Sequence, residues 1–311
     1  MNTEFPHHAP RTVFFSCSVG IMAYNEGRNI GHLLERLLQQ RLEQGEITEI
    51  IVVASGCTDD TEEIVTKFAE KHSKIRLITE PTRRGKASGV QRFLDAAREN
   101  LLVLAGADTL PEYDAVGRLL SPFADESVGM SGAHPVPLNP RNNFCGYVAH
   151  FFWEMHHYAA LRAPKCGEMV AFRRLIDHIP EDVVVDEPYI AAMVLKKGLR
   201  VVYQPDAVVY NMGPGTVREI LMRRRNIVAG YFHLSRRYGL RIPDRNKFQI
   251  AAILLKKVFS FRQPPPWVVG AAAIELLARI LGWWDSRFGR CPLHLWRIAE
   301  STKTLIGAER K

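Results

Sequence analysis

Cysteine is scarce in this 311-residue chain, and the few present form no pattern. The five, Cys17, Cys57, Cys145, Cys166 and Cys291, are odd in number, and no two have C-x-x-C spacing. Neither a disulfide framework nor a zinc site is expected, and a reducing compartment is. Long uncharged runs are also missing. No stretch of about twenty residues lacks a charged side chain, which argues against a plain membrane span. Residues 1–12 have neither a cationic start nor an apolar centre and do not read as a secretory signal. Repeats and low-complexity segments are absent as well. The expected location is cytoplasmic.

What is present is an ordinary globular composition, 47% hydrophobic and 24% charged, with a formal net charge of +8. A basic balance suits phosphate-bearing ligands, an anionic membrane surface or nucleic acid, or marks only a solvated surface. Nucleic acid is not expected, because the basic residues are not interleaved with stacking aromatics. The first half alternates strand and helix. Strands are predicted at Ser18 to Met22, Glu49 to Val53, Ile75 to Thr79 and Leu101 to Ala105. Helices are predicted over 30–42, after Asp59, and over 86–100. In the helix over 30–42, Ile30, Leu33, Leu34, Leu37, Leu38 and Leu42 follow the amphipathic spacing. Asp59 suits a cap with Glu62 as its box partner. Such alternation implies an α/β fold, a mostly parallel sheet sandwiched by helices. Ligands then lie beyond the carboxyl ends of the strands.

The second half is mixed. A helix is predicted over 143–162 and another from Glu187 to Lys197, stopping at Gly198. Glu168 to Phe172, Val183 to Val185, Arg200 to Gln204 and Ala207 to Asn211 read as strands. From 216 onward the pattern is helical and basic, and Pro264, Pro265 and Pro266 mark a break.

Four segments fall where a parallel sheet places its ligand: Ala23 to Glu26, Ala54 to Thr61, Arg83 to Lys86 and Gly106 to Asp108. Together they supply an aromatic ring, small residues, cations and a carboxylate, a set suited to a nucleotide diphosphate with a divalent ion. Asp108, just past an apolar strand, suits a hard cation such as Mg²⁺ or Mn²⁺ bridging two phosphates. It equally suits the cap of a helix beginning near Glu112.

In this order the motifs resemble family 2 glycosyltransferases of GT-A fold. Met22-Ala23-Tyr24-Asn25-Glu26 is similar to the family's first turn. Val52 to Asp59 is similar to its second, and Gly85-Lys86-Ala87 to its G-K-A segment. Gly106-Ala107-Asp108 falls on the D-x-D element. Phe172-Arg173-Arg174, Asp186-Glu187 and Met222 to Asn226 follow in place. The likeness runs from about residue 17 to about 235. It implies an inverting transferase that uses a UDP- or GDP-linked sugar, Mg²⁺ or Mn²⁺, and a lipid, polyprenyl-phosphate or glycan acceptor. It also implies roles. Glu187 takes the base position, with Asp186 as second choice. Asp108 holds the metal. Ala23, Tyr24, Glu26, Ser55, Gly56, Lys86, Ala107, Asp108, Arg223 and Arg225 bind the donor. Ser55 stands where an acidic residue is usual, and Gly106 replaces the first aspartate of D-x-D. A nucleotide-sugar-binding pseudoenzyme is the alternative.

Adjacent helix residues point about 100° apart, so Arg223, Arg224 and Arg225 cannot all reach one site. Those that do not are expected to face solvent or lipid headgroups. His233 reads as structural, and His156 and His157 as packing or acceptor-site residues. The expected organisation is a catalytic domain over 14–240, with a nucleotide-binding half 14–110 and an acceptor half 111–240. A helical extension, 241–311, follows. In it, Ile250 to Leu255 and Trp267 to Trp284 are apolar and flanked by Lys256, Lys257, Arg262, Arg287 and Arg290. Trp267, Trp283 and Trp284 sit at the ends of the second run, and Glu275 and Arg279 interrupt it. That pattern suits peripheral membrane contact or an ordinary appendage packed on the domain.

Overall fold

A computed structural model describes residues 14–240, 265–289, 299–303 and 305. The apolar run Ile250 to Leu255, its neighbours Lys256, Lys257 and Arg262, and also Pro264, Arg290 and Cys291, lie outside these residues. The first half alternates as expected: β1 (Phe15–Ala23), α1 (Gly27–Leu38), β2 (Gly45–Ser55), α2 (Thr61–Lys71), β3 (Ile75–Glu80), α3 (Lys86–Ala96) and β4 (Leu101–Gly106). All pairings among β1 to β4 are parallel. Parallel neighbours need crossovers, and the helices supply them. The helix predicted over 86–100 ends at Ala96, because the chain turns extended at Ala97.

The second half continues the same sheet with β5 (Thr109–Pro111), α4 (Ala115–Leu120), β6 (Val128–Pro137), α5 (Phe144–Ala160), β7 (Met169–Arg173), α6 (Asp186–Lys196) and β8 (Arg200–Asn211). The strand order is β3-β2-β1-β4-β7-β6-β8-β5. Antiparallel pairs β4–β7, β6–β7 and β5–β8 make the whole sheet mixed, with the parallel character confined mainly to the first half. Three strand predictions are corrected. Val183 to Val185 forms no strand; its valines are buried in the irregular segment that leads into α6, Val184 and Val185 against Gly230. Arg200 to Gln204 and Ala207 to Asn211 are one strand, β8, carried through Pro205. Finally, β6 carries two glycines and two prolines and shows no strand alternation in sequence. It forms because it lies between β7 and β8.

Buried side chains fill both faces of the sheet. Ile30, Leu33, Leu34 and Val116 close one, and Val90, Phe93, Ile190 and Val194 the other. A third, smaller core joins α5 to α7 (Val217–Tyr238) and α8 (Pro265–Phe288) through Tyr147, Phe151, Ile220, Ala271 and Ile274. Pro265 and Pro266 therefore begin α8, since a first turn tolerates them. Trp267 packs on Phe144 and Tyr147.

The end of the sheet away from the ligand side is held by one buried carboxylate. Glu49 accepts from Ser18 Oγ, the Arg98 amide and Arg76 Nη2, each at 2.7 Å. Burial pushes this carboxyl up, but those donors hold it below the usual range. Its folded pKa is depressed, so its contribution to stability is complete above the unfolded pKa and lost as pH falls through the folded one. Replacing Glu49 by Gln should cost about 2 kcal/mol at neutral pH. In urea titrations this difference should close below about pH 4.

Candidate functional site

Three strands of the parallel half end at one cleft of about 1050 Å³. From β1 come Ala23, Tyr24 and Glu26; from β2, Ser55; from β4, Ala107 and Asp108; and α3 begins there with Lys86. The first turn is held by the second. Asp59 accepts from the Gly27 amide at 3.0 Å and from Thr61, whose hydroxyl accepts from the Glu26 amide at 2.8 Å. Asp59 thus clamps the start of α1 and does not form the expected capping box with Glu62. Asn25, in that turn, takes φ +53°, a left-handed backbone that non-glycine residues rarely adopt outside constrained sites.

Gly56 does not line the cleft; it shapes it. At φ +64°, a Cβ there would lie 2.5 Å from the Arg83 amide nitrogen, so only glycine lets the 82–84 turn close over β2. Ser55 belongs to the same junction, accepting from the Arg84 amide at 3.3 Å. The turn places the Arg83 guanidinium 4.3 Å from the centre of the Tyr24 ring, a cation–π stack at the cleft wall. Arg84 leaves the site and pairs with Glu181.

Asp108 lies between β4 and β5, and α4 starts only at Ala115, with Asp114 before it, so Asp108 caps no helix. A Cβ on Gly106 would come within 2.9 Å of an Asp108 carboxylate oxygen. The missing side chain at 106 is thus the space into which Asp108 folds. Among the described residues no group of three or more His, Cys, Asp or Glu gathers around a point. A hard cation fits nonetheless, because Mg²⁺ is commonly held by one or two carboxylates together with substrate phosphates.

Opposite Asp108, α6 presents its acidic pair. Lys86 Nζ lies 3.0 Å from Asp186 and 2.8 Å from Glu187, joining the starts of α3 and α6. The Lys86 side chain is 43% accessible at the cleft wall; partial desolvation lowers its proton affinity, and the two carboxylates raise it by more. Burial and the adjoining Glu187 push Asp186 above its ordinary range. Against its own burial, Lys86 holds Glu187 below. Glu187 is the more open of the two carboxylates.

The three arginines of α7 diverge as helix geometry requires. Arg223 turns inward and donates to Glu168 at 2.5 Å. Arg224 pairs with Glu275 of α8, and Arg225 with Asp285. Arg225 therefore lies outside the cleft lining, and the expectation that it reaches the donor is corrected. The expectation that the remaining arginines face solvent or lipid is corrected too: α8 supplies their acids. Glu275 also holds Arg279, the pair expected one turn apart. His233 pairs with Asp182 at 3.1 Å. His156 lines the cleft, while His157 meets the Tyr203 hydroxyl at 2.8 Å.

Two charged residues were missed in the sequence. Glu168, read only as the start of a strand, has φ +61° and faces Arg223 from the cleft wall. Burial pushes it up, Arg223 opposes that, and Asp108 adds to it. Lys303 lines the cleft from far along the chain. A glycine before Glu168 is its one faint sequence signal; Lys303 carries none. Away from the strand ends, α5, α7 and α8 line the cleft mainly with apolar side chains, Val148, Phe152, Met155, Ile227 and Leu276, beside the ion-paired Arg224, Glu275 and Arg279.

Known proteins agree with this geometry. A dolichyl-phosphate beta-glucosyltransferase, ALG5C of Trichomonas vaginalis, is 30% identical over 164 residues, 47% of this chain and 49% of the relative. The human dolichyl-phosphate beta-glucosyltransferase is 26% identical over 140 residues, 43% of this chain and 41% of that one. The chain thus aligns with about half the length of the curated relatives it matches. The fold is shared with a mannosyltransferase, PcManGT of Pyrobaculum calidifontis, solved with GDP-Man and Mn²⁺. Their TM-score is 0.62 and identity 22%, with 91% of both chains covered. The glycosyl transferase family 2 model matches residues 18–185, more than half of the chain, and this protein belongs to that family.

Proposed function

We propose that the protein is an inverting glycosyltransferase that moves a sugar from a UDP- or GDP-linked donor to a phosphorylated polyprenyl lipid. One observation carries the reading. A single cleft joins a carboxylate-and-cation end, at the strand termini, to an apolar chamber between α5, α7 and α8. The first end suits a nucleotide diphosphate and the second an isoprenoid chain. The names of the dolichyl-phosphate relatives support the same acceptor class.

Tyr24, Ser55, Ala107 and Asp108 receive the nucleotide, and Asp108 is the residue that would hold Mg²⁺ or Mn²⁺. When bound, the ion neutralises charge on the departing diphosphate. The acceptor oxygen attacks the anomeric carbon from the opposite face as the bond to the diphosphate breaks. Glu187, pinned by Lys86 and kept below the ordinary carboxylate range, is a weak proton acceptor. That suits a phosphate nucleophile, which is already ionised and has no proton to lose. Glu187 orients Lys86 and the acceptor, and buried Asp186 fixes Lys86 from the other side. Arg223 and Glu168 line the passage between the two ends.

α8 adds a surface. Ile280, Trp283, Trp284 and Phe288 are exposed, with Ile280 55% and Trp284 57% accessible. Over Pro266–Phe288 the helix is long and apolar enough to cross a membrane by length and composition. Ala271, Ile274 and Ala278, however, are buried against the protein. The reading is a helix lying on the membrane, beside the mouth through which a lipid enters.

Incubation with UDP- and GDP-sugars, a short polyprenyl phosphate and Mg²⁺ or Mn²⁺ should yield a glycosyl phospholipid. Asp108→Asn should lower kcat/KM by about a hundredfold or more. Glu187→Gln should lower kcat while leaving donor affinity within about threefold. Donor binding without turnover of any acceptor or of water would make the protein a pseudoenzyme. In vesicle flotation, wild type should rise with anionic liposomes. The double change Ile280→Ser with Trp284→Ser should weaken that partition at least about tenfold. Wild type remaining at the bottom of the gradient would refute the membrane reading.

A further inference from the structure

The stretch 299–303 with residue 305 lies beyond the span matched by the family, yet Ala299, Thr302 and Lys303 line the donor end of the cleft. It is anchored on both walls. On the acceptor wall, Ser301 Oγ donates to Glu219 at 2.6 Å and accepts from the Gly215 amide at 2.8 Å. On the nucleotide wall, the amide of buried Leu305 donates to Asn29 Oδ1 at 3.1 Å. Between these anchors Lys303 reaches the β1–α1 turn. Its Nζ donates to the Tyr24 carbonyl at 2.8 Å and pairs with the Glu26 carboxylate. The Lys303 side chain is only 14% accessible and that of Glu26 10%. Placing a lysine there costs desolvation and side-chain entropy, so the pair is a built feature of the site.

The charges say what it is for. Glu26, Asp108 and Glu168 make this end carboxylate-rich, and the Glu26 carboxyl is pushed up to about 7 by burial and then by Asp108. Of the other cations at this end, Lys86 pairs with Asp186 and Glu187, Arg223 with Glu168, and Arg83 stacks on the Tyr24 ring. Among the described lining residues seven carboxylates face seven lysines and arginines, Lys303 included. Without Lys303, Glu26 would lose the ammonium that pairs with it, next to Asp108 and Glu168, at the end that would meet a polyanionic ligand.

We propose that Lys303 is a donor-binding residue delivered by this strap. Its ammonium, held in place by the Tyr24 carbonyl and Glu26, pairs with the diphosphate of the incoming nucleotide. Glu26 and Asn29 act through it as positioning residues, Glu26 on the ammonium and Asn29 on the strap. This assignment rests on the nucleotide-diphosphate reading above.

Calorimetric titration of full-length protein with UDP and GDP, each with MgCl₂ or MnCl₂, tests it against uridine and guanosine. Lys303→Met should weaken the diphosphate about tenfold, the contribution of one charge-assisted hydrogen bond. Nucleoside binding should stay unchanged, the salt dependence of diphosphate binding should flatten, and Lys303→Arg should restore most of the affinity. Equal weakening of nucleoside and diphosphate would make the role structural, and tighter binding would make the strap a competitor; either overturns the proposal. In wild type, saturating nucleotide diphosphate should slow acetylation of Lys303 measured by mass spectrometry. An unchanged rate overturns the proposal even if the Met variant does not fold. Wild type that binds neither UDP nor GDP overturns this assignment together with the function it rests on, whereas normal binding by Lys303→Met overturns the assignment alone.

Discussion

One ammonium group holds the two halves of the cleft in register. Lys86 opens α3 in the first half of the domain, and its two carboxylate partners open α6 in the second. Each partner alone would be a buried carboxylate facing another. With the cation between them, one is kept ionised and the other takes the penalty of burial. The spacing between the starts of α3 and α6 is therefore tied to an ion pair whose rupture would leave the buried Asp186 carboxylate facing that of Glu187.

The same logic spreads through the cleft. Arg223 answers Glu168, Lys303 answers Glu26, and α8 answers Arg224 and Arg225. A helix outside the family match thus neutralises the outer arginines of α7 and also walls the apolar chamber. That dual use explains why Glu275 and Asp285 stand in an otherwise apolar helix. They face arginines, while the tryptophans and leucines on its other side remain uncovered. At Asp108 the economy is spatial. The absence of a side chain at Gly106 gives the single carboxylate room to fold back at the end of β4.

Much of this was legible in the chain itself. The alternation of strands and helices up to Gly106 could be read because each parallel strand there is a short apolar run and each helix carries an apolar stripe. The turns that follow β1, β2 and β4 were legible for the same reason, since the carboxyl ends of parallel strands are where ligands collect. The acceptor half was harder. β6, with its glycines and prolines, has no local signal, and Val183 to Val185 has a strong strand signal that its place as the buried lead-in to α6, packed at Gly230, overrides. Glycine at 56 was readable as a turn; that it makes room for Arg83 was not.

The sequence by itself determined the α/β class, the family likeness, the acidic pair at Asp186 and Glu187, and the divergence of three adjacent arginines. These follow from periodicity, motif order and helix pitch, which are local properties. Only the tertiary structure decided the partners: Asp59 with Gly27, Arg225 with Asp285, Glu168 with Arg223, and Lys303 with Glu26. Charge pairing across long sequence separations depends on which surfaces the fold brings together. No spacing rule links Lys303 to Glu26; they meet because the strap crosses from the start of α7 to the start of α1.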